Sequence, residues 1–168
     1  MRYLAVATTA VMLAGMGVSN TLNAKGLVPL SSISSATALA AASAAKESCS
    51  KMGFHVSVTV VDAAGNVLAT LRDDGAGPHT AIASHRKAYT ALTTRMPTSQ
   101  MVKIVGASPE AFGLRQIEGL LILSGGLPIK AGDSVVGAIG VSGAPGPESD
   151  EKCGSAGIAS IADALDGK

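Results

Sequence analysis

The segment "SVVGAIGVSG", residues 134–143, reads as a strand but carries Gly137, Gly140 and Gly143. Glycine inside a strand gives up side-chain packing, and it marks places where another backbone must lie close. A chain built around such a strand has to fold by pressing small-residue surfaces together. The rest of the sequence agrees, with two tyrosines, two phenylalanines, no tryptophan and 20 glycines. Its core is therefore expected to be small and aliphatic, made of Val, Ala, Leu and Ile.

The first 24 residues stand apart. "MRYLAVATTAVMLAGMGVSNTLNA" has a cation at Arg2, an apolar run from Leu4 to Val18 and a small-residue end at Ala24. That layout is a secretory signal peptide. The run is short of the roughly 20 residues that span a bilayer. Cleavage is expected after Ala24, although Leu22 is bulky for an A-x-A site; cleavage after Ala14, or none, is the alternative. Residues 25–168 then form one domain with one core, periplasmic or extracellular.

Within that domain the strands and helices alternate in groups. "SSISSATALAAASAAKESCSKMG" is an Ala-rich helix with serine caps before it and Gly53 after it. Its apolar face is expected at Ile33, Ala36, Leu39 or Ala40, and Ala44. "FHVSVTVVD" alternates, with Phe54, Val56, Val58 and Val60 on one side and His55, Ser57, Thr59 and Val61 on the other. "DAAGN" turns the chain into the returning strand "NVLATLR". A helix follows from about Thr80, its N-cap, to Met96, stopped by Pro97. Ile82, His85, Tyr89, Leu92 and Met96 make its expected core stripe. Two short helical pieces, "TSQMVKIVG" and "SPEAFGLRQIE", come next. A second strand pair lies in residues 119–143, with Gly125-Gly126, Pro128 and Gly132-Asp133 read as turn residues. A last helix is capped at Ser149 or Asp150. This order predicts an α+β sandwich, one antiparallel sheet with helices against it.

Charge and cysteine content narrow the function. Lys plus Arg number 13 and Asp plus Glu 12, which becomes 12 against 12 once Arg2 is lost with the leader. A neutral, aromatic-poor surface has no electrostatic or stacking reason to hold nucleic acid or an anionic membrane. Cys49 and Cys153 form an even pair in an exported chain, which reads as a disulfide, with two buried free thiols as the alternative. The bridge would join the end of the first helix to the start of the last.

The chemistry-bearing residues gather in "DGAGPHTAIASHRKAYTA", residues 74–91. His79 follows Pro78 on a loop at the mouth of a helix, where the positive end of the helix dipole favours a neutral, metal-ligating imidazole. Arg86 and Lys87 lie roughly on the same side. His55 reads as a packed or interface side chain, and His85 as a core histidine. Asp62, Asp73 and Asp74 sit at strand ends, the ordinary place for solvated turn carboxylates. No Gly-x-Ser-x-Gly elbow, phosphate loop or dinucleotide fingerprint is present.

Three segments, "VTVVDAAGNVLATLRDDGAGPHT", "RKAYTALTTRMPT" and "GGLPIKAGDSVVGAIGVSGAPGPESDEKCGSAGI", resemble the GlcG/HbpS family over nearly the whole mature chain. The resemblance implies a profilin-like antiparallel sheet flanked by helices, assembled into dimers or higher oligomers up to octamers. It implies haem as the ligand, with His79 as the iron ligand. Arg86 and Lys87 are expected to receive the propionates, and the loop carrying Gly125 and Gly126 to wall the pocket. No general acid or reductant site for opening the macrocycle is evident, so binding is expected rather than degradation. Two other readings stay open: an enzyme or accessory protein acting on a small hydroxy or oxo carboxylate, and an oligomeric scaffold without catalysis.

Overall fold

The computed structural model describes residue 26 and residues 28–166; the expected signal peptide lies outside them. Helix α1 (Ser35–Lys51) precedes the hairpin β1 (Ser57–Asp62) and β2 (Val67–Arg72), then α2 (His79–Thr94) and α3 (Thr98–Ala107). A 3-10 helix over Pro109–Gln116 leads to the hairpin β3 (Gly126–Ala131) and β4 (Ser134–Ser142), then α4 (Pro147–Ala159) and α5 (Ala162–Leu165). The strands form one antiparallel sheet in the order β2-β1-β4-β3, so the two hairpins meet where β1 pairs with β4. The α+β sandwich is the one predicted. Helices α1 and α4 cover one face and α2 covers the other. Among the described residues no helix is long and apolar enough to cross a membrane.

Central strands explain why both faces of β1 are buried. Val56, Val58 and Val60 join Ile129, Ile139 and Val141 under α1 and α4. The opposite face, which alternation marks as polar, is equally inaccessible: Ser57 and Thr59 are 0% exposed. A buried hydroxyl needs a partner, and α2 supplies both, Thr80 to Ser57 at 2.7 Å and Ser84 to Thr59 at 2.9 Å. The period-2 pattern is real, but "polar" here means hydrogen-bonded to a helix rather than to water.

Glycine sets how closely α2 lies. Gly140 pairs with Thr59 on one side and with Gly126 on the other. A Cβ on Gly140 would stand 2.0 Å from the Ser84 carbonyl oxygen, and one on Gly126 would stand 2.2 Å from that of Lys87. The sheet thus meets the helix backbone directly. Gly140→Ala is expected to destabilise by at least the 1–3 kcal/mol typical of an overpacked core, about a whole-helix shift being needed to make room. An unchanged urea midpoint would remove close approach as the reason for this glycine.

The same close packing overturns two expected helix faces. On α2 the buried residues are Thr80, Ser84, Lys87, Ala88, Thr90 and Ala91, while Ile82 is 67% exposed. Of the expected stripe Ile82, His85, Tyr89, Leu92 and Met96, Ile82 is exposed and His85 and Tyr89 are half-buried beside a surface cavity, while Leu92 and Met96 pack against buried clusters. Small side chains, Ser84 and Ala88, lie over Gly140. On α1 the buried set is Ala38, Ala41, Ala42, Ala45 and Cys49, and Leu39 is exposed. There Gly157 of α4 presses against the helix; a Cβ on it would come within 2.5 Å of the Ala41 carbonyl oxygen.

Several element ends also differ. Helix α2 opens at His79, and the Thr80 hydroxyl turns inward to the Gly77 carbonyl oxygen and Ser57 instead of capping. Helix α4 begins at Pro147, before the expected caps at Ser149 or Asp150. Gly126 and Pro128 belong to β3 rather than to a turn; β3 is an edge strand, where proline removes no ladder bond that matters. Ser34 caps α1 by accepting from the Thr37 N–H, and Gly53 follows with φ +79°, as the sequence suggests. Asp62 closes the β1–β2 turn by accepting from the N–H groups of Ala64 and Asn66, the ordinary turn role expected of it.

Candidate functional site

A cavity of about 550 Å³ opens beside the start of α2. His79 and Lys87 come from α2, Val102 from α3, Ile122, Leu123 and Ser124 from the segment before β3. Ser142, Gly143, Ala144 and Gly146 contribute the end of β4 and its loop, and Asp150 comes from α4. Val102, Ile122, Leu123 and Ala144 make much of its wall apolar.

At its base lies an ion pair that neither partner's sequence context announces. Lys87 is 2% exposed and Asp150 4%. The Lys87 ammonium donates to Asp150 Oδ2 at 2.8 Å and to the Val141 carbonyl oxygen at 2.9 Å. Asp150 Oδ1 accepts from the Ala144 N–H at 3.0 Å, which ties the β4–α4 loop to the pair. Burial raises the Asp150 carboxyl above the ordinary carboxylate range, while Lys87 and the N–H groups of Ala144 and Gly143 pull against that rise. Gly125, at φ +120°, leaves the space for this arrangement: a Cβ there would meet Asp150 Cβ and Lys87 Nζ at 2.9 Å each.

His79 is exposed, at the rim of the cavity, and its ring lies over Gly77, where a Cβ would meet Cε1 at 2.8 Å. The other residues singled out from sequence divide between locations. Lys87 shares the cavity with His79. Arg86 does not: its guanidinium donates to the Leu120 carbonyl oxygen, its Nε has no hydrogen-bond partner among the described residues, and it borders a separate cavity with His85, Tyr89 and Glu118. Arg86 and Lys87 therefore border different cavities, their side chains turned by about 100° from one helix residue to the next. Gly125 and Gly126 stand behind the ion pair, and Ser124 is the residue of that loop that lines the cavity.

Nor do the other histidines face His79. His85 is half-buried against the separate cavity rather than in the core. His55 is exposed and bonded through Nδ1 to Asp73 Oδ1 at 2.7 Å, with Lys46 also 3.5 Å from Asp73. The His55 hydrogen bond, the Gly75 N–H and the nearby cations hold the Asp73 carboxyl below its ordinary range. Asp150 and Ser142 are the site residues that sequence reading did not place at the site, while Ser124 opens the loop expected to wall the pocket and does line it. Ser142 ends β4 with no local chemical signature, and Asp150 reads locally only as a helix cap.

A concave site with an apolar wall, an imidazole at the rim and polar groups at the base is the usual form of a small-molecule binding protein. The family model described as "Haem degrading protein HbpS-like" matches residues 33–159, and the chain belongs to that family. Protein GlcG of Escherichia coli is 34% identical over 110 residues, covering 66% of this chain and 81% of GlcG. A crystal structure of HbpS superposes with a TM-score of 0.76 at 43% identity, covering 81% of this chain and 94% of HbpS. A crystal structure of a PduOC:heme complex shares the fold, with a TM-score of 0.70 at 24% identity over 77% of this chain and 95% of the other.

Proposed function

We propose that this protein binds haem in the cavity beside α2, with His79 as the iron ligand, and that it serves haem or iron handling or sensing outside the cytoplasm. The observation that carries the reading is the placing of an exposed imidazole at the rim of a cavity walled by Val102, Ile122 and Leu123. That donor set fits the group: a histidine for the iron and apolar side chains for a flat macrocycle. Bound haem would supply an iron centre; the chain supplies the imidazole, the apolar wall and, in Lys87, the cation lining the cavity. Binding is favoured over degradation because the other titratable groups there, Lys87 and Asp150, are bound to each other.

Export is supported by the leader-like N-terminus and by the Cys49–Cys153 disulfide, since such bridges persist in oxidising compartments. Assembly is supported by large apolar side chains left on the surface, Ile82, Phe112 and, lining the cavity, Leu123 among them. A second subunit over that surface would also shelter His79.

Haemin titration followed by absorbance tests the ligand. Wild-type protein is expected to give a saturable Soret shift, and His79→Ala to lose it while keeping its thermal midpoint within about 1–2 °C, as expected for an exposed substitution. An equal shift in both proteins would rule out His79 as the ligand. No shift in either would rule out haem.

A further inference from the structure

The base of the cavity carries two serines without a hydrogen-bond partner among the described residues. Ser124 and Ser142 are each 6% exposed and both line the cavity. Neither hydroxyl has a hydrogen-bond partner among the described residues, and neither is sealed from solvent as Arg86 Nε is, so both are open to the cavity. Their position follows from the sheet. Ser57 pairs with Ser142 across β1 and β4, and Ser124 lies two residues before β3, just ahead of Gly125, whose carbonyl oxygen accepts from the Val141 N–H. Ser57 is satisfied by Thr80 of α2, but the other two lie beyond the helix and face the cavity.

Lys87 stands beside them. Its ammonium has three protons, of which Val141 and Asp150 take two. Two hydroxyls and a third ammonium proton are a donor set for a group that only accepts. A carboxylate is the common organic group of that kind, and hydrogen bonds between charged and polar partners are the stronger ones.

We propose that Ser124, Ser142 and the free proton of Lys87 form a carboxylate subsite at the base of the cavity. It rests on the same cavity as the haem reading but not on haem itself, because a carboxylate can arrive as a propionate of the macrocycle or as a free small acid. The serines position and select the ligand. Apolar groups of the ligand would lie toward Val102 and Ile122.

The test pairs wild-type protein with Ser124→Ala/Ser142→Ala, a substitution that removes two oxygens and leaves Lys87 and Asp150 in place. Three probes are titrated: haemin, haemin dimethyl ester and sodium acetate, the last followed by thermal shift. If the carboxylate is a propionate, haemin binds wild type about tenfold or more tighter than its diester, and the double variant abolishes that preference. If it is a free acid, haemin and diester behave alike, and acetate raises the thermal midpoint of wild type saturably but not that of the variant. Equal binding of haemin and diester together with no acetate effect would overturn the subsite, whether or not a Soret shift occurs. Loss of the Soret shift with a retained acetate effect would overturn haem binding alone.

Discussion

Replacing Cys49 and Cys153 together by alanine is expected to lower the thermal midpoint by about 10–15 °C. The bridge spans 104 positions. In the chain-entropy model a loop of that length removes about 4–5 kcal/mol of freedom from the unfolded chain, and a domain of this size loses roughly 2–4 °C per kcal/mol. The effect should be large because of where the bridge sits. It joins α1 to α4 across a contact built from Ala41, Ala45 and Gly157, side chains that bury little apolar area each. Both cysteines are 0% exposed. A reductant added to folded protein should therefore act slowly, at the rate of opening, and calorimetry of the double variant is the cleaner measurement. A fall of less than about 3 °C would mean that helix packing already restricts the chain as much as the bridge does.

Lys87→Met is expected to cost about 3–5 kcal/mol at neutral pH, the range found when one partner of a buried pair is removed. The Asp150 carboxylate would then be buried with only backbone N–H groups against it. Burial already raises the folded-state Asp150 above the ordinary carboxylate range, so ionising it works against folding, and stability from this residue falls as pH rises through that range. Removing Lys87 removes the interaction opposing that rise and pushes the carboxyl higher. The deficit of the variant should hence be largest at neutral pH and shrink on acidification, as Asp150 takes up a proton. Urea unfolding of both proteins between about pH 4 and pH 7.5 reads this directly, and a deficit independent of pH would mean that lost packing, not charge, is responsible. Lys87→Met/Asp150→Leu should recover much of the loss, since an apolar pair of similar size is often as stable as a buried ion pair.

Local chemistry accounts for what could be read from the chain alone. Ser34 and Gly53 bracket α1, and Asp62 and Gly65 turn β1 into β2, each acting on neighbours within a few residues. Helix α2, by contrast, ends at Thr94 on a left-handed Arg95, short of Met96, and Pro97 instead opens α3. The family motifs pointed to the sandwich through such segments in order. The buried faces of the helices were not legible in the same way. In an alanine-rich helix almost every stripe is small and apolar, so periodicity scarcely distinguishes Ala36 and Ala40 from Ala38, Ala41 and Ala45. On α2 the larger residues suggested the wrong stripe, because size mattered more than hydrophobicity over Gly140.

The candidate site shows the same division. His79 could be singled out because a loop histidine beside a helix start is conspicuous in one dimension. Asp150 lies 63 positions from Lys87, and Ser124 and Ser142, from separate segments, meet only as linings of one cavity. The amino-acid sequence by itself determined the order of elements, their turns and the two cysteines available for bridging, all matters of short-range preference or composition. Only the tertiary structure decided which helix faces are buried, that Lys87 pairs with Asp150 while Arg86 borders another cavity, and that two serines have no partner among the described residues. Those outcomes depend on how closely two backbones can approach, and that distance belongs to the pair of surfaces rather than to either segment.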